Sequence, residues 1–457
     1  MAKEVYAGGL TLDFFVEKGF ESLDNLTGDD RVRANARNFV RLLMLEQVIG
    51  WQQALNLDTV KFAFYDATAI QRKYMFEVLQ EGLSYIGYQL QHQTLNEQQQ
   101  RQASILIASV LSYVPFSYPE KESVIEIPQL VNEQWKMVSC QINPIDLTAS
   151  YKNIPYVFND DDRVWAYGLS PQGNDKDASP WLVYQGTTYP SGNGFMTQLM
   201  TDMKPFKTVG HDLYMSGKAE IERWFDQFPN RKINVTGVSL GGALSLLTAC
   251  NLGDRCSHVY ALNPAGLVEN SSLKKIDLWD SLVTKPAVFV IKQGADPVSI
   301  MGTWKPDWII LRGELDKECP NFLTHHFVNF ARSSHTRFIK EPHDHDKSMR
   351  TINNIILYTG LRAIGYTFFL LPWRYLVIPL YRLAKAVVLT TCCLLAALVC
   401  EMVSLVNLLL KAIVNGTALL MDGVRKLTEK SIERVSACLD DFNQSDQQDD
   451  TVTLGPK

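Results

Sequence analysis

Hydrophobic and polar positions change their spacing three times along the 457-residue chain, and these changes divide it into four parts. Residues 1–122 carry apolar positions at helical intervals and predict a helical N-terminal region. Residues 123–350 alternate short apolar runs with amphipathic helical patterns, which predicts an α/β domain. Residues 351–425 are almost continuously apolar and predict helices, whereas residues 426–457 predict a polar helix and a disordered tail.

Four apolar runs in the second part predict strands that are buried on both faces. They are Pro180–Tyr184, Lys232–Val238, His258–Asn263 and Pro286–Lys292. Such strands, alternating with helices, form a parallel or mostly parallel sheet with helices on both faces. We therefore expect a binding site at the carboxyl ends of these strands.

The second run leads into a Gly-x-Ser-x-Gly motif at Gly237–Gly241. This motif joins a strand to a helix through a sharp turn and presents its serine, here Ser239, as a nucleophile. Glycine is needed two positions before and after the serine because a Cβ atom there would clash in the turn. The helix that follows offers free N–H groups that can stabilise an oxyanion.

Two further polar side chains follow strand ends. Thr187 lies in a Gly-Thr turn after the first run and can offer both an N–H and a hydroxyl group to an oxyanion. Asp296 closely follows the fourth run, and this position favours it as the acid over Asp277, Asp280 and Asp307. An ordinary turn role is the alternative for both residues.

A serine nucleophile needs a histidine base, and the chain order serine, aspartate, histidine places that base after the acid. We favour His335, which lies in a loop that can return over the strand ends. His343 and His345 remain alternatives, as do His325 and His326. The histidines and aspartates of residues 343–346 could instead bind a metal, although a solvated segment is the simpler interpretation.

Net charge, cysteine spacing and the first residues of the chain limit the classes of function that we expect. The net charge of −5 is close to balance, so we expect no nucleic-acid partner. The eight cysteines include no Cys-x-x-Cys pair, and no disulfide framework is expected at this length. The first ten residues lack the long apolar run of a signal peptide, so we expect the catalytic domain to face a cytosol.

The apolar third part predicts a membrane anchor. Ala386–Leu410 contains a single charged residue, Glu401, and about 20 apolar residues suffice to cross a bilayer. Ala363–Tyr381 is a second candidate, although Pro372 and Pro379 interrupt it. We favour a re-entrant hairpin or a helix at the membrane surface. A buried helical bundle that covers the catalytic domain is the alternative.

Four segments together resemble the class 3 (fungal-type) lipase family of α/β-hydrolases. They are Tyr184–Thr187, Val209–His211, Val238–Ala243 and Gly294–Val298, and the resemblance extends over roughly residues 130–345. The fold class implied is an α/β-hydrolase with a mostly parallel sheet and helices on both faces, to which the N-terminal helical region and the C-terminal apolar helices are added.

The resemblance implies Ser239 as nucleophile, Asp296 as acid, and Thr187 with the Leu240 amide as oxyanion hole. It implies no metal and no organic cofactor. The chain departs from the family pattern at Val238, where a histidine is usual, and at Gln185, where an arginine is usual. The family's histidine motif has an aromatic residue three positions later, and the spacing of His335 and Phe338 matches it only approximately.

These observations predict a membrane-associated serine esterase that hydrolyses acylglycerols or phospholipids through an acyl-enzyme on Ser239. The expected partners are a lipid ester and a membrane surface or bilayer. A catalytically inactive, membrane-tethered interaction protein on the same scaffold is the alternative from another class. An acyltransferase would use the same acyl-enzyme.

Overall fold

A computed structural model describes ten segments of the chain: residues 4–10, 69–150, 162–173, 177–188, 192–294, 296–314, 326, 337–342, 354–415 and 427–436. The chain forms two compact units, Met1–Leu370 and Leu371–Lys457.

The first unit is built on a sheet to which the described residues contribute ten strands, in the order β1-β10-β9-β8-β7-β6-β5-β4-β3-β2. The strands are β1 (Val5–Ala7), β2 (Val124–Val131), β3 (Gln134–Asp146), β4 (Trp165–Pro171), β5 (Trp181–Tyr184), β6 (Ile233–Val238), β7 (Cys256–Leu262), β8 (Ala287–Gln293), β9 (Ile309–Glu314) and β10 (Arg337–Lys340).

The five central strands, β5 to β9, are parallel, and antiparallel strands extend the sheet at both edges. Tyr184 pairs with Gly237, and Gly237 pairs with Ala261. This register brings the carboxyl ends of β5, β6 and β7 together. The predicted α/β-hydrolase fold class is confirmed, with the parallel pairing concentrated in the centre of the sheet.

Helices cover both faces of the sheet, as expected. They are α1 (Ala69–His92), α2 (Glu97–Leu111), α3 (Phe195–Met203), α4 (His211–Phe225), α5 (Leu240–Leu252) and the short α6 (Ser271–Lys274). Val183 of β5 belongs to the core under α1 and α2, and its neighbour Leu182 belongs to the core under α4 and α5. Successive residues of a strand point to opposite faces, so each central strand needs apolar residues throughout.

The N-terminal region contributes more than helices to this unit. Strand β1, which the hydrophobic pattern did not predict, pairs with β10 at the sheet edge. Helices α1 and α2 bury apolar residues such as Leu83 and Leu106 in the same core as the sheet. Asn96 begins α2 with a capping box in which its side chain and that of Gln99 exchange hydrogen bonds with the backbone. The proposed boundary at residue 122 stays a prediction.

The predicted C-terminal apolar helix is present. Helical structure runs through Asn354–Leu361, α7 (Arg362–Gly365) and Tyr366–Leu370 in the first unit. In the second unit it includes Trp373–Val377 and α8 (Ile378–Asn415), and residues 427–436 are also helical.

A helix from Tyr358 to Leu405 is long and apolar enough to cross a membrane. None of its most apolar window is buried, and Leu394 and Val399 are about 60% exposed. By length and composition this helix suggests membrane association.

Candidate active site

Ser239 occupies a strained turn between β6 and α5. Its backbone angles, φ 56° and ψ −117°, fall in a region that residues other than glycine seldom adopt. The Ser239 N–H donates to the carbonyl of Leu262 at 2.9 Å, and the Ser239 carbonyl accepts from the N–H of Ala243 at 3.0 Å. These two hydrogen bonds hold the turn, so the serine keeps its position at the end of the strand.

The two motif glycines are required by the close approach of backbone segments in this turn. A Cβ atom on Gly237 would lie 2.4 Å from the carbonyl carbon of Gly241. A Cβ atom on Gly241 would lie 2.6 Å from the carbonyl oxygen of Tyr184. Both distances are shorter than real contacts allow, so no larger residue fits without moving backbone.

His326 lies between Ser239 and Asp296. Its Nε2 atom is 2.8 Å from Ser239 Oγ, and its Nδ1 atom is 2.9 Å from Asp296 Oδ1. In the tautomer with a proton on Nδ1, the ring donates to the carboxylate and accepts from the serine hydroxyl. The sequence keeps this histidine only as an alternative to His335, which lies outside the described residues.

The carboxylate of Asp296 is buried and accepts four hydrogen bonds. Oδ1 accepts from His326 Nδ1 and from the N–H of Val298 at 2.9 Å. Oδ2 accepts from the N–H and the hydroxyl of Ser299. The residue is 1% exposed, so these donors replace water and fix the direction in which the carboxylate faces the imidazole.

Asn263, at the end of β7, links the histidine to the acid loop. Its side-chain Nδ2 donates to the carbonyl of His326 at 3.2 Å. Its Oδ1 accepts from the N–H of Gln293, at the end of β8, at 3.1 Å. Asn263 itself has a φ of 43°, a conformation that asparagine tolerates better than most residues. The sequence gives no signal for this role beyond its position at a strand end.

Thr187 and Leu240 lie at adjacent strand ends, as the sequence predicts. Leu240 is the first residue of α5, so its N–H has no acceptor within the helix. The hydroxyl of Thr187 donates to Asp202 Oδ2 at 2.6 Å. With that proton directed to Asp202, the remaining donor of Thr187 is its backbone N–H.

Asp202, in the last turn of α3, was not predicted as part of this region. Burial raises the pKa of Asp202 to about 6, although the Thr187 hydroxyl, Arg362 and His326 each act to lower it. Burial thus favours the neutral form of this carboxyl, which accepts a hydrogen bond from the hydroxyl of Thr187.

A buried network without charge replaces the arginine that the family pattern expects at Gln185. Gln198 of α3 accepts from the N–H and the hydroxyl of Thr188 at 2.7 and 3.0 Å. Gln198 Nε2 also donates to Gln185 Oε1, and Gln185 Nε2 donates in turn to the carbonyl of Pro115. These amides link the turn after β5 to α3 without a buried charge, which would be costly to desolvate.

Val238, which stands where the family pattern has a histidine, packs against the same turn. It is 7% exposed, and its carbonyl oxygen would lie 2.8 Å from a Cβ atom on Gly186. The Cγ1 atom of Val238 would lie 3.2 Å from the same Cβ, so glycine at position 186 lets the turn after β5 approach the elbow, the turn formed by Gly237–Gly241.

His211, which ends the Val209–His211 segment of the family resemblance, belongs to an ionic cluster at the start of α4. Its Nδ1 lies 3.2 Å from Asp212 Oδ1, and Lys204 and Lys207 also contact Asp212. Burial alone would raise the pKa of Asp212, but these three donors hold it well below its usual range.

Taken together, the fold and this geometry define the class. A serine on a strand-to-helix turn, a histidine bonded to it and a buried carboxylate meet at the carboxyl edge of a parallel sheet, which is the arrangement of α/β-hydrolases. Residues 183–262 match the family model described as Lipase (class 3). The resemblance to class 3 lipases is thereby confirmed over a segment that includes Thr187 and Ser239, and it supports a hydrolase of the lipase type.

The other comparisons add little. The crystal structure of Lip2 lipase from Yarrowia lipolytica is similar over 57% of this chain and 92% of its own, with 13% identity and a TM-score of 0.29. A likeness of this degree carries no argument about the site. Comparison with curated proteins gives no match.

Proposed function

We propose that this protein is a membrane-associated serine esterase of the lipase type, with Ser239, His326 and Asp296 as its catalytic triad. One observation carries the proposal: a single imidazole lies within hydrogen-bond distance of both the serine hydroxyl and the buried carboxylate. His326 thus takes the role of base for which the sequence favours His335.

In the acylation step, His326 Nε2 removes the proton from Ser239 Oγ while that oxygen attacks the ester carbonyl carbon. The amides of Leu240 and Thr187 stabilise the negative oxygen of the tetrahedral intermediate. The intermediate collapses when the imidazolium gives its proton to the leaving alkoxide, and an acyl-serine remains. Asp296 holds the ring in the required tautomer and stabilises its positive charge.

In the deacylation step, His326 removes a proton from water, and the resulting hydroxide attacks the acyl carbonyl carbon. The second tetrahedral intermediate expels Ser239 Oγ, which takes the proton back from the imidazolium. The products are a carboxylic acid and an alcohol, and each step balances with water as the only co-reactant. An acyltransferase would replace this water with an alcohol acceptor.

The proposed substrates are acylglycerols or phospholipids. The support is the class 3 lipase match at residues 183–262 together with the exposed apolar helix at Tyr358–Leu405. A helix of that length and composition would hold the enzyme where its substrate is concentrated.

The test is covalent labelling of the full-length protein in detergent micelles with a fluorophosphonate probe. We expect wild type to be labelled and Ser239→Ala to be unlabelled. Ser257→Ala is the matched control, because Ser257 is a partly exposed serine on β7 whose hydroxyl forms a hydrogen bond with His258 Nδ1. Absence of labelling in folded wild type would favour the inactive scaffold.

The identity of the base is tested with three histidine variants. We expect His326→Ala to abolish labelling and ester hydrolysis, and His335→Ala and His92→Ala to retain both. His92 ends α1, is exposed and contacts the carbonyl of Tyr88, so its loss should not disturb the site. Loss of activity in His335→Ala but not in His326→Ala would contradict the proposed triad.

A further inference from the structure

Arg362 is a buried charged residue at the beginning of the apolar helical segment. It is 4% exposed, although its neighbours Leu361 and Ile364 are each 53% exposed. A buried guanidinium group must find hydrogen-bond acceptors, because its desolvation is otherwise too costly. Arg362 is therefore buried where the apolar residues around it are exposed, and the groups that it contacts indicate its role.

The hydrogen-bond partners of Arg362 are one backbone carbonyl in the last turn of α3 and one in the connection from α3 to α4. Nε donates to the carbonyl oxygen of Asp202, and Nη1 donates to that of Lys207 at 2.8 Å. The guanidinium also lies over the ring of Tyr358, 4.5 Å from its centroid. The last carbonyls of a helix lack partners within the helix and carry partial negative charge, so a cation there both satisfies and stabilises them.

Asp202 is also the residue that holds the oxyanion threonine, through the 2.6 Å hydrogen bond from the Thr187 hydroxyl. A chain of two hydrogen bonds therefore joins Arg362 to Asp202 and Asp202 to Thr187. Asp202 Oδ1 and Arg362 Nη2 are both buried, and neither has a partner among the residues that the structure describes. Few hydrogen bonds therefore hold Arg362, Asp202 and Thr187 together. We expect the loss of one of these bonds to displace the residue that the next bond joins.

We propose that Arg362 is a positioning residue of the oxyanion site: it fixes the last turn of α3, and with it Asp202 and the Thr187 hydroxyl, to the first turns of the apolar helix. This inference rests on the proposed function, because it assigns an oxyanion role to Thr187. The first turns of the apolar helix then belong to the frame of the active site.

The charge of Arg362 gives the proposal a pH signature. The groups that act on the Asp202 carboxylate are the Thr187 hydroxyl, Arg362 and His326, and Tyr358 is coupled electrostatically to both Asp202 and Arg362. The nearby Lys204 and Lys207 are paired with Asp212. Because Arg362 lowers the pKa of Asp202, its removal should raise that pKa above about 6. Asp202 would then lose its charge at a higher pH, and the Thr187 hydroxyl would lose its charged acceptor.

The experiment compares Arg362→Gln with wild type as full-length proteins in detergent micelles, with a short-chain, water-soluble ester as substrate. We expect kcat to fall by about 10-fold with little change in KM, since misplacing an oxyanion group affects the transition state more than the bound ester. We also expect the acidic limb of the pH profile to move to higher pH. Arg362→Lys keeps the positive charge, so the acidic limb of its pH profile should lie where that of wild type does. Its kcat should recover only in part.

Tyr358→Phe is the matched control. The Tyr358 hydroxyl accepts from the N–H of Val209 and donates to the carbonyl of Gly266, so its loss weakens the same helical turn while both hydrogen bonds from Arg362 to backbone carbonyls remain. The phenyl ring still lies under Arg362. We expect its loss in kcat and the shift of its acidic limb to be much smaller than those of Arg362→Gln, and changes equal to those of Arg362→Gln would overturn the inference.

A double-mutant cycle with Thr187→Val separates positioning from general loss of structure. If Arg362 acts through the Thr187 hydroxyl, Arg362→Gln should cost less than about 2-fold in kcat once that hydroxyl is absent. Additive losses would overturn the inference, as would an unchanged kcat and pH profile in the single variant. If Arg362→Gln does not fold, the same cycle is run with Arg362→Lys.

A different experimental result is expected if the protein is not a serine esterase. In that case folded wild type neither hydrolyses the ester nor reacts with the fluorophosphonate probe. An active, labelled wild type with an unaffected Arg362→Gln variant contradicts the role of Arg362 alone.

Discussion

The two sides of the candidate site are built differently. On the acid side, Asp296 accepts four hydrogen bonds, three of them from residues within three positions in the sequence. On the oxyanion side, Thr187 depends on Asp202, and Asp202 depends on Arg362, 160 residues further along the chain. The acid is held by its own loop, whereas the oxyanion threonine is held by distant segments.

The polar atoms of the two sides are satisfied to different degrees. Both oxygens of Asp296 have donors, whereas Asp202 Oδ1 and Arg362 Nη2 are buried without partners among the described residues. An unsatisfied buried polar atom costs about 1–3 kcal/mol. We therefore expect substitutions near Asp296 to change its position little. Substitutions near Asp202 should change the position of Thr187 more.

The largest expected effect is the loss of the base, which both sides need. His326→Ala should lower kcat by about 10⁶-fold, as for other triad members that act as a unit. The measurement is steady-state hydrolysis of a short-chain ester, with circular dichroism to show that the fold is kept. A loss below about 10-fold in a folded variant would exclude His326 as the base.

The acid side can be tested with an isosteric change. Asp296→Asn keeps the size of the side chain but favours the wrong histidine tautomer, so we expect kcat to fall by about 10⁴-fold. Asp307→Asn serves as the control, because Asp307 accepts from Lys285 on the exposed surface and the sequence keeps it as a candidate acid. Equal losses in the two variants would contradict the assignment of Asp296.

The turn Gly237–Gly241 lies between the two sides, and its geometry can be tested through the stability of the protein. Gly237→Ala places a Cβ atom 2.4 Å from the backbone of Gly241, so we expect the free energy of unfolding to fall by about 3 kcal/mol. Gly173→Ala is the comparison: that Cβ atom meets nothing within 4 Å, and the φ of 74° alone should cost about 1 kcal/mol. Urea unfolding measures both, and an equal cost would contradict the steric argument.

The same division between near and distant partners explains what the sequence could predict. Ser239, Asp296 and Thr187 follow apolar runs, and the periodicity of those runs indicates strands whose carboxyl ends meet. Gly237 is predictable from local spacing because the clash it avoids is with Gly241, four positions away, whereas the clash that Gly241 avoids is with Tyr184 of the neighbouring strand. Local pattern and turn chemistry thus identify the residues at the strand ends.

Residues that come together only through tertiary packing have no such local sequence pattern. His326 lies beyond β9 among several histidines, and no local spacing distinguishes the one that reaches Ser239. Arg362 lies in an apolar stretch that indicates a membrane helix, not an active-site contact. Strand β1 was missed for the same reason, since its three residues are a strand only because β10 provides an edge.

The smallest expected effect concerns the charge of Asp202. Its pKa in the folded protein, about 6, lies above the ordinary 3.8, so folding favours the protonated form. The stability that this carboxyl contributes is present below about pH 4 and is lost as the pH rises through about 6. Asp202→Asn removes the titration, so its melting temperature relative to wild type should rise between pH 4 and pH 7. Thermal unfolding at a series of pH values measures the difference, and parallel curves for the two proteins would show that the oxyanion side is no more sensitive to its surroundings than the acid side.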